Sequence, residues 1–452
     1  MIIAATNRNI GSMDKKMLIY FNNAIWIFLE KFIRIVVGFV FLGLISSQIG
    51  VRDFGVLTFA QTTATMLLCF ANLGFDNVLI NEFSKNDLRE KNIFSTALIS
   101  RVIISMVFVV FSILFVINYS MPSSTKWVYV ISTISLIFQS QTTWFSYFQA
   151  KSKSLKIVKL SLISLIFSSS LKAYLLYKEA GIIWFSISYT FDFAISFFVI
   201  FIFSHNNFNI FSLKSFRIDI LKYLLLKSWP LIASSILVVL YMRLDQVMIM
   251  KMMGAESVGV YNVAVKIAES YIFVPTALAT SLYPLISKEF TKKNVRLYFD
   301  LIVSSSLLFG IITLFCCYWV IPLLFGDAYV KANEILAVTI FSSIFAIIGG
   351  ACTNIMIIIN LSYMRLVRAV VGLVINFILN LMMIPMYGII GAAFSSLISQ
   401  VFAAWLSNAL SARTREYFML QTKSIFTLGI IGTFDAVKII INGIKERGDE
   451  KA

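Results

Sequence analysis

The chain has 452 residues, 59% of them hydrophobic and only 13% charged, with a mean hydropathy of +0.88 and a formal net charge of +16. Soluble globular proteins are about a quarter charged, so a water-soluble fold is excluded, and the apolar residues suffice for about a dozen membrane helices of about 20 residues each. A single histidine, His205, excludes a multi-histidine metal site and a His-dependent catalytic triad of the usual kind.

In chain order, segment 1–23 is polar and lacks a hydrophobic signal core, so it reads as a cytoplasmic tail in which Met13 is a candidate alternative start. Apolar runs long enough to cross a bilayer follow at 24–47, 55–81, 93–117, 127–149, 157–177 and 182–204, an N-lobe covering 24–204. A cytoplasmic linker, 205–227, leads to a C-lobe over 228–410 with runs at 228–251, 258–285, 299–323, 332–358, 366–384 and 389–410. The tail 411–452 is expected on the cytoplasmic side, and within its moderately apolar 425–442 stretch Asp435 and Lys438 favour an interfacial helix over a thirteenth span. Cys69, Cys316, Cys317 and Cys352 all fall in apolar runs and read as small hydrophobes, not a disulfide framework. Trp26, Trp127, Trp184 and Trp319 lie near span ends as interface anchors, Trp144 lies deeper, and Pro275 marks a kink or hinge in the eighth span.

Positive charge fixes the expected orientation. With the N-terminus inside, the inner segments carry 27 Lys and Arg residues and the outer loops five: Arg52, Lys126, Lys178, Lys251 and Lys331. That asymmetry, repeated loop after loop, supports twelve spans with both termini cytoplasmic, and it assigns the basic excess to topology and anionic lipid contact instead of nucleic acid.

The chain also repeats itself. IGVRDFGVLTFA around Gly50 and Gly55 matches MGAESVGVYNVA around Gly254 and Gly259, and AGIIWFS at Gly181 matches YGIIGAA at Gly388. Two pairs at nearly one offset describe two copies of a six-helix unit related by an axis along the membrane normal. The expected fold is therefore an all-α polytopic membrane protein of about 12 transmembrane helices, in two pseudo-symmetric six-helix lobes around a central cavity.

Ionisable residues at membrane depth cost several kcal/mol unless paired or facing water. They are Glu30, Lys31 and Arg34 in span 1, Arg101 in span 3, Lys172 in span 5 and Asp192 in span 6. Span 7 adds Arg243 and Asp245, span 8 Lys266 and Glu269, and Asp76 stands near the inner end of span 2. Two readings stand side by side: a cationic cavity that holds an anion, and local pairing of Glu30 with Arg34, Lys266 with Glu269 and Arg243 with Asp245. Snorkelling is a further reading for Lys172 and Arg101. No Gly-x4-Gly-Lys-Ser/Thr loop encodes ATP binding.

ANLGFDNVLINEFSK, RLDQVMIMKMMGAESVGVYNVAVKIAES, ALATSLYPLIS and IPMYGIIGAAFSSLIS, with the Gly50–Gly55 segment, run in order through most of the chain. By these segments the chain resembles O-antigen or capsular repeat-unit flippases of the Wzx type, in the multidrug/oligosaccharidyl-lipid/polysaccharide exporter superfamily. The resemblance implies alternating-access flipping of an undecaprenyl-pyrophosphate-linked oligosaccharide across the bacterial cytoplasmic (inner) membrane, for O-antigen, lipopolysaccharide or another surface polysaccharide. It implies no enzyme activity and no cofactor. The implied partners are the lipid-linked oligosaccharide, membrane lipids and other polysaccharide-assembly membrane proteins. By position, Lys31, Arg34 and Lys266 match the expected headgroup-binding cations, and Arg101 and Arg243 join the candidate set as cations at membrane depth. Asp245, Glu269, Asn376 and Asn380 are the candidates for H+ or Na+ coupling: related lipid II flippases hold a cation between an Asp on span 7 and polar residues on span 11. A carboxylate in place of Asn380 would hold it more firmly, and interhelical hydrogen bonding by the two Asn is the alternative. A multidrug exporter of the same fold is the alternative. A membrane glycan polymerase is disfavoured because every outer loop is about a dozen residues or fewer.

Overall fold

In hydrocarbon an unpaired backbone N–H or C=O costs several kcal/mol, so runs of this apolarity close their hydrogen bonds within helices. A computed structural model describes residues 2–85, 89–151, 153–361 and 363–434, and among them there is no strand. Helix α1 spans Ile2–Ala71, α2 Phe75–Ser84, α3 Glu90–Asn118, α4 Ser123–Gln139, α5 Thr142–Ala150, α6 Ser154–Tyr177 and α7 Ile182–Phe208. Then come α8 (Ile218–Met253), α9 (Ala255–Lys288), α10 (Lys292–Phe325), α11 (Ala332–Ile358) and α12 (Met364–Gln400). A π-helical turn over Val401–Leu406, α13 (Ser407–Leu410) and α14 (Arg415–Phe426) complete it.

Among the described residues nine helices are long and apolar enough to cross a membrane. The expected twelve runs map onto them simply. Helix α1 carries the first two runs across a kink at Gly50, and α12 with its π-helical continuation carries the last two across a kink at Gly388. The fourth run is divided between α4 and α5, each too short to be counted alone. Of the repeat glycines, Gly50, Gly181, Gly254 and Gly388 stand at kinks or helix junctions, while Gly55 lies within α1 and Gly259 within α9. Gly50 (φ 78°) and Gly254 (φ 88°) occupy the left-handed half of backbone space, where a Cβ would be strained, while Gly181 is the extended residue before α7.

The chain divides into two compact units, 1–236 and 237–452. The division falls inside α8, not in the 205–227 stretch, which is already helical from Ile218. In the first unit Phe75, Phe83, Phe94, Tyr147 and Phe148 surround Trp144, whose ring meets Phe94 and Phe197 edge-on, each at 5.3 Å. Trp144 is thus a core residue, while Trp26, Trp127, Trp184 and Trp319 are exposed, as anchors at a membrane interface are. In the second unit α11 is the most enclosed helix, burying Ile335, Leu336, Ile347, Ile348 and Ile355.

The tail after 410 is more than a loop. Helix α14 packs beside α10, with Lys292 2.7 Å from Glu416, and a turn at Leu428–Gly429 then lays the chain against Asp300. Described structure ends at Phe434, so Asp435, Lys438 and the rest of the expected 425–442 interfacial helix lie outside the described residues.

Candidate functional site

In the first unit one face of α1 meets α6 and α7 through charge. Arg34 donates from Nε to Glu30 Oε1 at 3.0 Å and from Nη2 to Ser161 Oγ at 2.7 Å, and Ser161 in turn donates to Glu30 at 2.6 Å. The expected i,i+4 pair is therefore present, joined by a serine on α6. Arg34 also lies 3.6 Å from Asp192 Oδ1 on α7, and Lys172 lies 3.8 Å from Asp192 Oδ2 and 4.6 Å above the Tyr189 ring. Lys172 is only 7% exposed at its side chain, so the snorkelling expectation is corrected: its ammonium turns inward to a carboxylate and an aromatic face. Arg34 keeps 35% of its side chain accessible. Lys31 is exposed and makes no ion pair among the described residues.

Arg101 is a correction to the expected headgroup-binding set. It is 1% exposed, and its five N–H donors make five hydrogen bonds. Nε and Nη2 both reach the Asn72 carbonyl at 3.2 Å, Nη2 also reaches Asp76 at 2.7 Å, and Nη1 reaches the Thr142 and Thr143 hydroxyls at 2.9 Å. Asn72 closes α1 where the second run breaks, and Thr142 opens α5 where the fourth run breaks. Arg101 ties the two breaks together and has no donor left for a ligand.

The second unit holds a cavity of about 90 Å³. Asp245, Tyr261, Glu269, Ser342, Ser396 and Gln400 are among its polar lining residues. Asp245 is buried and accepts hydrogen bonds from the Tyr261 hydroxyl, the Gln246 backbone N–H at 2.9 Å and Ser396 Oγ at 3.2 Å. From Ser396 the chain of bonds runs to Asn376 Nδ2 at 3.2 Å, and Asn380 Nδ2 donates to Asn376 Oδ1 at 3.0 Å. Three of the four coupling candidates thus share one polar network. Asn380 Oδ1 is buried without a hydrogen-bond partner among the described residues. No group of three or more His, Cys, Asp or Glu side chains suited to a metal occurs among them.

Glu269 stands apart from that network, between Arg243 at 2.6 Å and Lys266 at 3.6 Å. The expected Arg243–Asp245 pair is corrected: Arg243 turns to the carboxylate on α9. Lys266 keeps a partly exposed side chain.

Arg368 counts among the 27 Lys and Arg residues expected on the inner side. The structure buries it in α12, donating to the Ala403 and Gly349 carbonyls, each at 2.9 Å. Ala403 belongs to the π-helical turn, and its carbonyl accepts both Arg368 Nε and, at 2.7 Å, Ser407 Oγ. Ser161, Tyr261 and Ser396 also escaped the sequence reading, because hydroxyls are common in apolar helices and carry no charge signal.

The family described as polysaccharide biosynthesis protein matches residues 20–290, and the family described as MatE matches residues 230–382. An uncharacterized membrane protein of Methanocaldococcus jannaschii is 30% identical over 205 residues, covering 43% of this chain and 45% of that protein. A probable flippase of Haloferax volcanii is 25% identical over 189 residues, covering 37% of each. The matched stretches span less than half the length of either relative. Among solved structures, the lipid II flippase MurJ in an inward closed conformation superimposes with a TM-score of 0.65 at 16% identity, covering 89% of this chain and 92% of that one. A multidrug resistance MATE family transporter in an inward-facing conformation gives 0.66 at 12% identity, covering 88% and 99%. A MOP superfamily transporter from Pyrococcus furiosus gives 0.62 at 12%, covering 87% and 95%. At these identities the likeness is one of fold.

Proposed function

The chain belongs to the polysaccharide biosynthesis protein family, within the multidrug/oligosaccharidyl-lipid/polysaccharide exporter superfamily, and from that premise we propose that it flips a lipid-linked oligosaccharide. The substrate is an undecaprenyl-pyrophosphate-linked repeat unit, carried from the inner to the outer leaflet of the cytoplasmic membrane by alternating access. Both termini are cytoplasmic in this reading, and the product feeds O-antigen or another surface polysaccharide. The chain acts as a transporter and catalyses no covalent step.

The observation that carries the reading is the Arg34 cluster, a cation held at membrane depth with a third of its side chain accessible. A guanidinium suits phosphate because its planar fork donates two parallel hydrogen bonds. Lys31, exposed one turn away, adds a second positive charge, and within the second unit Lys266 is a separate candidate cation. The Asp245 network supplies a coupling group: an enclosed carboxylate whose charge changes with the uptake of H+ or Na+, with Asn376 and Asn380 as its neutral partners. Glu269, held between two cations, modulates Lys266 and Arg243 instead of taking up an ion.

Reversing both Lys31 and Arg34 to Glu tests the assignment. Loss of surface glycan at unchanged protein level is expected; normal surface glycan in that double variant would sink the cation assignment. A second reading, export of cationic drugs, is favoured by one observation: the ionisable lining of the second unit's cavity is acidic, Asp245 and Glu269. A drug-susceptibility panel on a deletion strain separates the two, since the flippase reading expects no change in susceptibility to cationic drugs.

A further inference from the structure

Asp192 lies on α7 between two cations that come from different helices. Arg34 approaches Oδ1 at 3.6 Å and Lys172 approaches Oδ2 at 3.8 Å, so the two oxygens of one carboxylate bridge a guanidinium and an ammonium. The contacts are long. Charge-assisted hydrogen bonds close to about 2.7–2.9 Å, as Arg34 does with Ser161 at 2.7 Å. Oδ1 is buried and has no hydrogen-bond partner among the described residues. A buried carboxylate oxygen left in that state is held by field alone and forgoes the bonds that water would give it.

We propose that Asp192 is a resident counter-anion, which keeps Arg34 and Lys172 bridged until a phosphate or pyrophosphate group displaces it. A phosphoryl group offers the same bridging pair of oxygens, carries more charge, and hydrogen-bonds both cations. The proposal rests on the flippase reading and deepens it: Lys172 becomes a ligand of the anion site, and Asp192 sets the threshold that an anion must exceed. Without Asp192 the part-exposed Arg34 and the buried Lys172 would repel each other in the empty state, and any small anion would settle between them. Arg34 from α1 and Lys172 from α6 thus present their charged ends to one carboxylate in the first unit.

The test is binding of inorganic pyrophosphate to the purified full-length protein in detergent, by calorimetry at fixed salt, for the wild type and Asp192→Asn. Removing the competitor is expected to tighten binding by about tenfold, within the usual span of coupling between two bound groups. Adding Lys172→Met to Asp192→Asn is expected to abolish that gain. Farnesyl pyrophosphate in a parallel arm separates sources: tighter binding than pyrophosphate points to a lipid-borne headgroup, equal binding to the free anion, and either supports the site. Pyrophosphate binding that Asp192→Asn leaves unchanged or weakens overturns the counter-anion role while leaving the flippase reading in place. No pyrophosphate binding by wild type or variant overturns both. If Asp192→Asn does not fold, Lys172→Met alone decides: weakened pyrophosphate binding supports the site, and unchanged binding overturns it.

Discussion

A charge inside a membrane is informative only once its partners are known, and Arg101 and Arg34 separate on that ground. Every donor of Arg101 is engaged, mostly by groups at the breaks after Ala71 and Gln139. Arg101→Ala should therefore act on the fold, costing about 3–5 kcal/mol, the usual result of removing one side of a buried charged network. Arg101→Lys should not restore it, because an ammonium cannot reproduce the fork. Thermal unfolding in detergent checks both variants, and an Arg101→Ala protein that melts like the wild type but loses export would return Arg101 to the transport site. The sequence made the Glu30–Arg34 and Lys266–Glu269 pairs legible because they are local, at helical spacings of four and three. It left Asp192 with Lys172 and Arg243 with Glu269 invisible, since those pairs cross between helices and nothing local records which faces meet.

Helices were legible from apolar runs, and the Gly50, Gly254 and Gly388 junctions from the repeat. The breaks at 72–74 and 140–141 were not, because a polar side chain elsewhere, Arg101, stabilises them. Glycine substitutions should expose two different constraints. A Cβ at Gly254 meets nothing within 4 Å, so Gly254→Ala pays only for its positive φ, about 1–2 kcal/mol. A Cβ at Gly429 would sit 2.1 Å from the Asp300 carbonyl oxygen, so Gly429→Ala should lift the segment after α14 off α10. Limited proteolysis near Arg413 and Arg415 is the readout, with faster cleavage expected in Gly429→Ala and wild-type cleavage in Gly254→Ala. Glu82, on α2 just past the second run's expected end at 81, brings a pH dependence. Burial pushes the Glu82 carboxyl up, but hydrogen bonds from Lys227 (2.5 Å), Lys85 (3.0 Å) and Tyr223 (3.0 Å) outweigh it, and the net value lies below 4.5. A carboxyl depressed on folding contributes stability above its unfolded value, and that contribution fades as pH falls from about 4.5 through the folded value. Glu82→Gln should lower the melting temperature at pH 7 and flatten its decline below pH 4.5; an unaltered acid limb would contradict this.

For the molecule as a whole, composition made the class legible, while the division within α8 was hidden by the continuity of that helix. Family membership supports the proposed lipid-linked cargo, and the Arg34 cluster is the chemistry proposed to hold it. Which sugars the cargo carries was never legible, because selectivity follows the three-dimensional shape of a site and not the spacing of charges along a chain. The most direct measurement is on a strain lacking this protein: extract the lipid-linked oligosaccharides and ask in which leaflet complete repeat units reside. Accumulation on the inner leaflet with loss of surface glycan, both reversed by the wild-type chain, is the predicted result. Unaltered surface glycan without accumulation, in a strain with no redundant transporter, would contradict the flippase account.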